Sequence, residues 1–316
     1  MTALEAAESL TPDMRRDFAV VVPAYNETPV IPELIGALKD AFGKYALDGE
    51  VILVDDGSDD GTGDLAEEVG EGWKNLRVLR HRTNLGKTEA LVTASEATDR
   101  TYLVLFDADL QHLPEEIPRF LAKLQEDWDM VTGRKVGKYE KPIVSGVYNW
   151  LSRRFFDVPV SDLNSMKAFR REILADLPMR HDWHRFFVVM AFARGYSVSE
   201  IDIQLHPRVA GVSKYSGRSR VFSGLMDLLS VWFLILFSRK PMILFGFSGF
   251  ALILAGLVVG AVAFYLRFVE GLGFRPLLYL VILLETVGFV LLGLGLMAEM
   301  IAQMHHEMDY LKRRMR

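Results

Sequence analysis

Cysteine is absent from the 316-residue sequence, so disulfide bonds and thiolate catalysis are excluded. The seven histidines never occur in a His-x-x-x-His spacing, which argues against a helical zinc site. A formal net charge of −5 leaves no surplus of positive charge for binding nucleic acid, so we expect no nucleic-acid partner. Residues 1–8 are acidic and lack an apolar core, and we therefore expect no secretory signal there.

Apolar residues make up 50% of the chain, enough for a sizeable core in one or two domains. Most of the apolar surplus follows Leu225, in long runs with few charges. The part before Leu225 instead alternates short apolar runs with segments of helical spacing. The chain is therefore predicted to combine an α/β domain with C-terminal membrane segments.

Short apolar runs predict strands at 19–22, 51–54, 76–79, 102–106 and 130–132. Helical patterns lie between them, as in the stripe formed by Ile31, Leu34, Ile35, Leu38 and Phe42. This alternation predicts a Rossmann-like, twisted and mainly parallel sheet with helices on both faces. The ligand of such a sheet sits beyond the carboxyl ends of its strands.

Polar side chains follow the predicted strand ends and are expected to converge on one edge of the sheet. They are Tyr25, Glu27, Asp55, Asp56, Lys87, Asp107, Asp109 and Arg134. Asp107 and Asp109 are suited to a hard divalent cation, which prefers oxygen ligands and commonly bridges to a nucleotide's phosphates, and Gln111 offers a third oxygen. Alternatively, the two carboxylates only open a loop before the helix near Pro114, and Asp55 with Asp56 forms a solvated turn rather than a site for base or ribose.

Two phosphate-binding motifs are excluded. Gly86-Lys87-Thr88 resembles the end of a P-loop, but His81 stands where that motif needs glycine. The first predicted strand is not followed by the Gly-x-Gly-x-x-Gly pattern of a dinucleotide fold.

Seven motifs in order give the chain, from Phe18 onward, a resemblance to a known family. They are Pro23-Ala-Tyr-Asn-Glu27, Asp55-Asp-Gly-Ser58, Asn84-Leu-Gly-Lys87, Asp107-Ala-Asp-Leu-Gln111, Asp162-Leu-Asn-Ser165, His184-Arg-Phe186 and Pro207-Arg208-x-x-Gly211-x-Ser213-Lys214-Tyr215. The chain resembles family 2 glycosyltransferases of the GT-A fold, in particular the polyprenyl-phosphate glycosyltransferases. These include dolichyl-phosphate mannose synthases and bacterial undecaprenyl-phosphate glucosyltransferases.

The resemblance implies specific roles. The predicted nucleotide-sugar contacts are Pro23, Tyr25, Glu27, Leu53, Asp55, Asp56, Lys87 and Ala108. Asp107, Asp109 and Gln111 are implied to hold Mg²⁺ or Mn²⁺, and Arg134, Arg208 and Lys214 to lie near the donor and acceptor phosphates. His112 departs from the aspartate that relatives often carry after the glutamine, and Met166 departs from an aromatic residue.

The expected chemistry is transfer to a lipid phosphate. A phosphomonoester is already mostly dianionic at neutral pH, so it needs no general base, but an anion must approach an anionic donor. Arg208 and Lys214 are suited to reduce that repulsion, although they are equally compatible with ordinary cations at a membrane face. Asp162 either orients acceptor or sugar hydroxyls or only caps a loop.

Residues 243–266 and 277–302 are each long and apolar enough to cross a bilayer, and a short turn between them predicts a helical hairpin. We expect the following organisation: an N-terminal arm at 1–17, a GT-A domain at 18–216, amphipathic interfacial helices at 217–240, the hairpin within 241–304 and a basic tail at 305–316. The flanking basic residues favour both termini and the catalytic domain in the cytoplasm. Glu285, inside the second run, indicates either a functional group or a buried hydrogen-bonded acid.

Together, the residues and the resemblance predict a metal-dependent enzyme of the inner membrane that transfers a hexose from UDP-glucose to undecaprenyl phosphate. Inversion at the transferred sugar is implied by the resemblance alone. GDP-mannose with dolichyl phosphate is the alternative. A non-catalytic membrane scaffold or flippase partner is a more distant one. Glycines in the second apolar run are compatible with a homo-oligomer.

Overall fold

The computed structural model describes residues 1–136, 159–160, 162–163, 165–177, 186–206 and 241–315. Its contacts divide the chain into two units, Met1–Leu225 and Met226–Arg316. The predicted interfacial segment 217–240 lies outside the described residues, as do the predicted phosphate-binding residues Arg208 and Lys214.

Strands and helices alternate through the first unit. The strands are β1 (Phe18–Ala24), β2 (Glu50–Asp55), β3 (Leu76–Arg80), β4 (Tyr102–Leu105), β5 (Met130–Val136), β6 (Lys167–Arg170) and β7 (Val198–Gln204). The helices are α1 (Ala3–Ser9), α2 (Ile31–Lys44), α3 (Thr62–Val69), α4 (Lys87–Glu96), α5 (Ile117–Gln125), α6 (Glu172–Asp176) and α7 (Phe187–Ala193), with a 3-10 turn at Pro114–Glu116. The second unit contains α8 (Pro241–Phe268) and α9 (Arg275–Met315).

The described strands form one seven-stranded sheet in the order β3-β2-β1-β4-β6-β5-β7. The β3-β2-β1-β4 half is parallel throughout, as is the β5-β7 pair. β6 runs antiparallel to both of its neighbours, β4 and β5. The predicted α/β class and mainly parallel sheet are confirmed, and the antiparallel insertion of β6 is a feature that the strand predictions missed.

Both faces of the sheet are covered. Successive β1 residues Ala19, Val20, Val21 and Val22 are all fully buried although their side chains alternate between the two faces. On one face, the predicted apolar stripe of α2 is buried in the main core cluster. The ring centroids of Phe42 and Phe18 lie 5.8 Å apart, and aromatic pairs at this separation stabilise a core beyond the burial of their surface.

The N-terminal segment packs into the same core. α1 begins with a capping box between Thr2 and Glu5 and buries Ala6 and Ala7. The loop that follows is tied to α5, because Thr11 N–H donates to Gln125 Oε1 at 2.9 Å and Gln125 Nε2 donates to the Ser9 carbonyl at 3.0 Å.

The second unit is an antiparallel pair of helices with closely packed backbones. A Cβ added at Gly249 would lie 2.6 Å from the Gly288 carbonyl oxygen, and one at Gly295 would lie 3.1 Å from the Gly246 nitrogen. Glycine therefore permits the helices to approach, as small residues do in membrane helix pairs. A Cβ added at Gly256 would likewise lie 2.6 Å from Oε1 of Glu285 on the facing helix.

In the part of the chain that the structure describes, Met242–Phe268 and Arg275–Met304 are two helical segments long and apolar enough to cross a membrane. Their large apolar side chains point outward, and Phe247 is 75% exposed. Such exposure is unfavourable in water and natural in lipid. α9 continues beyond the predicted end of its span at residue 302, because the following residues contain no helix breaker before Met315.

Candidate active site

Loops at the carboxyl edge of the parallel strands are joined to one another. Asn26 N–H, after β1, donates to Ser58 Oγ, after β2, at 2.9 Å. Glu27 N–H similarly donates to Thr62 Oγ1 at 2.9 Å. The convergence predicted for Tyr25, Glu27 and the Asp55 loop is therefore present, and the Tyr25 ring is partly exposed at this edge.

The predicted donor residues inside the strands occupy different environments. Pro23 pairs with Val54 in the β1-β2 ladder, and the Leu53 side chain lies in the core. Asp55 ends β2 with a buried carboxylate whose Oδ1 accepts from Ser58 N–H at 3.0 Å. A Cβ at Gly63 would lie 2.4 Å from Asp55 Oδ2, so only glycine lets α3 pack against this carboxylate.

Asp56 connects the β2 loop to the β3 loop. Its Oδ1 accepts from Leu85 N–H at 2.9 Å, and its Oδ2 accepts from Gly86 N–H at 2.8 Å. His81 Nδ1 lies 2.7 Å from Oδ1 of the same carboxylate. Asp56, predicted as a nucleotide contact, is thus buried and engaged in holding the loop that presents Lys87.

Lys87 begins α4, and its ammonium forms an ion pair with Oδ1 of Asp107, directly after β4 and Phe106. Burial raises the pKa of the Asp107 carboxyl, but the positive charges of Lys87 and Lys167 outweigh burial and hold this pKa well below its usual value. Asp107 is therefore ionised at neutral pH. Its side chain is still 40% exposed, so it remains accessible to a ligand.

The predicted metal-binding residues lie in a tight turn after β4. Ala108 is buried, Leu110 adopts a positive φ of 51°, and Gln111 N–H donates to Asp109 Oδ1 at 3.2 Å. Asp107, Asp109 and Gln111 supply the hard oxygen donors that Mg²⁺ and Mn²⁺ prefer. In the described ranges, no three Asp, Glu or His side chains form a preassembled metal site. The chemistry of these three side chains therefore fits a hard divalent metal, although they do not form a complete ligand set by themselves.

Shortly before β6, the described residues include Asp162, Leu163 and Ser165, which we call the Asp162 turn. This turn lies at the same edge of the sheet because β6 runs antiparallel to β4 and β5. Lys167, the first residue of β6, pairs with Leu105 of β4 and Thr132 of β5, and its Nζ donates to the Leu163 and Ser165 carbonyls at 3.2 and 2.9 Å. The turn is held further by Thr132 Oγ1, which donates to the Asp162 carbonyl at 3.2 Å.

Lys167 is only 2% exposed. Burial, reinforced by the positive charge of Lys87 and opposed by Asp107 and Asp162, lowers the pKa of Lys167 from 10.5 to about 7. At neutral pH Lys167 is therefore only about half protonated, and its Nζ is able to donate to the two carbonyls in either state.

Lys135 and Arg134 leave β5 on opposite faces. Lys135 Nζ lies 3.7 Å from Asp162 Oδ2, whereas Arg134 Nε lies 2.6 Å from Asp202 Oδ1 and 3.3 Å from Glu200 Oε1 on β7. The structure thus brings Lys135 to the Asp162 turn and pairs Arg134, the residue predicted at the phosphates, with the neighbouring strand. Consecutive side chains of a strand point to opposite faces of the sheet, so the alternation of β5 could have shown that Arg134 and Lys135 lie in different places.

His112 is buried beside this cluster, and burial lowers its pKa to about 4 despite the opposing charge of Asp107. The ring is therefore neutral at neutral pH. Its Nδ1, like the buried Ser165 Oγ, has no hydrogen-bond partner among the described residues.

Lys135 and Lys167 were not singled out in the sequence, since a lysine within or beside a short strand carries no motif of its own.

The sheet is mainly parallel, and its carboxyl edge carries two partly exposed aspartates after β4. This combination is that of a GT-A glycosyltransferase. Residues 19–193 match the family described as "Glycosyl transferase family 2". The chain belongs to this family and is a glycosyltransferase, which confirms the sequence resemblance and removes the non-catalytic scaffold from consideration.

Two relatives extend the similarity over nearly the whole chain. A dodecaprenyl-phosphate galacturonate synthase of Rhizobium johnstonii is 31% identical over 307 residues, covering 93% of this chain and 90% of that protein. An undecaprenyl-phosphate 4-deoxy-4-formamido-L-arabinose transferase of Pseudomonas fluorescens is 28% identical, covering 92% and 86%.

A solved structure of similar fold is glucosyl-3-phosphoglycerate synthase from Mycobacterium tuberculosis in complex with Mn²⁺, UDP and glucosyl-3-phosphoglycerate. It is 20% identical, has a TM-score of 0.56, and the match covers 74% of this chain and 82% of that one. The same enzyme has also been solved with Mg²⁺ and UDP, at 22% identity and a TM-score of 0.55. These matches support the fold, and a divalent metal is present with UDP in those neighbours.

Proposed function

We propose that this enzyme transfers a hexose from a UDP-sugar to the phosphate of a polyprenol at the cytoplasmic face of the inner membrane, with inversion at the anomeric carbon. The observation that carries the proposal is the carboxyl edge, where Asp107 is paired with Lys87 and where both Asp107 and Asp162 act on the buried Lys167. The polyprenyl-phosphate acceptors named for both relatives support it, because the similarity extends through the C-terminal apolar helices.

A divalent metal, Mg²⁺ or Mn²⁺, would be held by Asp107, Asp109 and Gln111 together with the donor's diphosphate. When bound, it supplies Lewis-acid stabilisation of the leaving diphosphate. The protein's own contribution at this point is positional. Asp56 fixes the Leu85 and Gly86 backbone, and thereby the start of α4, opposite the carboxylates.

The acceptor phosphate needs positive charge more than it needs a base. Lys135 lies beside Asp162 and is suited to reduce repulsion between the two anionic substrates. Arg134 stays a predicted phosphate contact, and in that role it must exchange Asp202 for the substrate. Arg208 and Lys214 have the same predicted role outside the described residues. Asp162 is proposed to orient a sugar or acceptor hydroxyl from its fixed turn.

The membrane unit supports the lipid acceptor. Two exposed apolar helices would anchor the enzyme where a polyprenol resides, and the basic residues near their ends favour cytoplasmic termini. A homo-oligomer stays a prediction. The interfacial location of residues 217–240, which lie outside the described residues, also stays a prediction.

The donor sugar has two leading candidates. UDP-glucose is the one that the sequence resemblance favours. A UDP-hexuronate is the second, because Lys135 adds positive charge beside Asp162 and the first relative described above is named for galacturonate. Lysine near a sugar carboxylate would favour the acidic donor electrostatically. GDP-mannose with dolichyl phosphate is the alternative carried by resemblance.

The test is a transfer assay with the purified full-length protein in detergent. Labelled UDP-glucose, UDP-galacturonate and GDP-mannose are each incubated with undecaprenyl phosphate or dolichyl phosphate, with Mn²⁺ or with chelator, and label is followed into the organic phase. We expect transfer from a UDP-sugar that stops with chelator. Undecaprenol without phosphate serves as the matched negative acceptor. Equal labelling of the free alcohol, or no label in the organic phase from any of these donors with a folded protein, would contradict the proposal.

A further inference from the structure

Lys87 and Asp107 form an ion pair that joins two loops of the site. The backbone on the amino side of Lys87 is held, since Leu85 and Gly86 N–H groups both donate to the Asp56 carboxylate. The Lys87 side chain itself is 29% exposed and flexible by nature, with four methylene groups between Cα and the charge. Its backbone is therefore anchored while its ammonium is able to change partners.

A metal ion at Asp107 would compete with the Lys87 ammonium, because the two cations would share one carboxylate. The carboxylate that pairs with Lys87 is also the first of the carboxylates that would hold a divalent metal. In the stretches that the structure describes, no third Asp, Glu or His side chain completes a metal site around it. A metal ion arriving alone would thus have to displace an ammonium from one of a small number of strong ligands.

A diphosphate changes this balance. Lys87 is the first residue of the ten-residue helix α4, whose N-terminal end favours anions. A diphosphate close to Asp107 would offer the ammonium a second anion and would bring oxygen ligands for the metal at the same time. Lys167, buried behind the carboxylates, keeps its place on the Leu163 and Ser165 carbonyls and does not compete in the same way.

We propose that Lys87 is a positioning residue that couples metal binding to donor binding: its ammonium occupies Asp107 until the donor's diphosphate draws it away and leaves Asp107 to the metal. The inference rests on the proposed function, and it names the order in which the same site is filled. Because binding couplings are reciprocal, UDP and the metal must then strengthen each other's binding by the same factor.

The experiment measures Mn²⁺ binding rather than turnover. Free Mn²⁺ is titrated by electron paramagnetic resonance against the full-length protein in detergent, with and without UDP, for the wild type and Lys87→Met. Without UDP, we expect Lys87→Met to bind Mn²⁺ about tenfold more tightly, since one competing unit charge is removed near the ligand. UDP should tighten Mn²⁺ binding strongly in the wild type and by a smaller factor in Lys87→Met.

Two lysine variants serve as controls. Lys123→Met removes a surface cation paired with Glu126 on α5 and should leave Mn²⁺ binding unchanged. Lys135→Met removes a cation paired with Asp162 rather than Asp107 and should give a clearly smaller gain than Lys87→Met. Thermal melting of each variant shows that the fold is retained, and Lys87→Gln provides a second, polar replacement.

A loss or no change of Mn²⁺ affinity in folded Lys87→Met and Lys87→Gln would overturn the inference, and so would an equal gain in Lys135→Met. The metal-only arm also separates this inference from the proposed function. If no UDP-sugar serves as donor in the transfer assay, a gain in Mn²⁺ affinity at Lys87→Met still supports competition at Asp107. If transfer occurs but the gain is missing, only the role of Lys87 is refuted.

Discussion

The two halves of the sheet hold their parts of the site by different means. In the parallel half, the loops after β1, β2 and β3 are joined through backbone N–H groups, with Asp56 as the central acceptor. In the other half, the Asp162 turn is held by the side chain of buried Lys167, and Asp162 itself faces Lys135. The parallel half is thus held mostly by hydrogen bonds from backbone N–H groups, and the other half mostly by the side chains of two lysines.

This difference has a physical consequence. Hydrogen bonds from backbone N–H groups depend little on pH, whereas a buried lysine makes its surroundings depend on protonation. We therefore expect the two halves to respond differently to substitution and to pH. The predictions below test that contrast, beginning with the largest effect.

Asp109→Ala should lower the rate of sugar transfer by about a thousandfold or more, because metal stabilisation of a leaving diphosphate is worth several kcal/mol. The measurement is the initial rate of label transfer to polyprenyl phosphate at saturating Mn²⁺. The unfolding midpoint should stay close to that of the wild type. A loss below tenfold would remove Asp109 from the metal site.

Asp162→Asn should lower kcat by about a hundredfold, the order of loss that follows from a misplaced reacting group. The main-chain bonds of its turn, from Lys167 and Thr132, do not involve the side chain, so the fold should survive. Steady-state kinetics and thermal melting together check both statements. Near-normal turnover in a folded variant would exclude Asp162 from the reacting centre.

Lys167 should make stability depend on pH in the alkaline range. Its pKa is about 7 in the folded protein and 10.5 in the unfolded reference, so between these values the unfolded chain binds more protons and the free energy of unfolding rises with pH. The expected gain from pH 7 to 9 is about 2 kcal/mol for the wild type. Lys167→Met should lack this increment in denaturant unfolding at pH 7, 8 and 9.

Lys123→Met, which keeps Lys167, is the control for that experiment. It should show the wild-type slope of unfolding free energy against pH. Equal slopes in the wild type and Lys167→Met would show that Lys167 is not the group responsible.

Lys135→Gln should raise the KM for polyprenyl phosphate about tenfold, the loss expected for a charge-assisted hydrogen bond. Arg134→Gln should have a smaller effect, because Arg134 is paired with Asp202 and Glu200 on β7. Parallel kinetics with varied acceptor concentration compare the two. A larger effect at Arg134 would mean that this side chain exchanges Asp202 for the substrate phosphate.

Much of the parallel half was predictable. Its strands are short apolar runs that end at polar residues, and parallel strands bring those ends to one edge, so the positions of Asp55, Lys87 and Asp107 followed from pattern alone. The pattern did not show that the Asp56 carboxylate would accept hydrogen bonds from the Leu85 and Gly86 backbone. Asp55 and Asp56 are adjacent and identical in the sequence, but their side chains leave the strand end in different directions.

The antiparallel half was less predictable. β6 has four residues with a basic residue at each end, and β7 interleaves three apolar residues with polar and acidic ones, so neither forms an apolar run. Burial of Lys167 depends on β6 lying between β4 and β5, which is a tertiary feature. Local sequence does not predict a buried lysine, because lysine side chains are ordinarily exposed.

The uninterrupted course of α9 fixes the rotation of the residues after Met304 relative to the candidate membrane span before them. The candidate span ends at Met304, but the helix continues to Met315, so about 16 Å of helix extends beyond it. Rotation of the span about its axis must turn the tail through the same angle. Inserting a single residue at the junction would rotate the part of the helix beyond it by about 100° relative to the span.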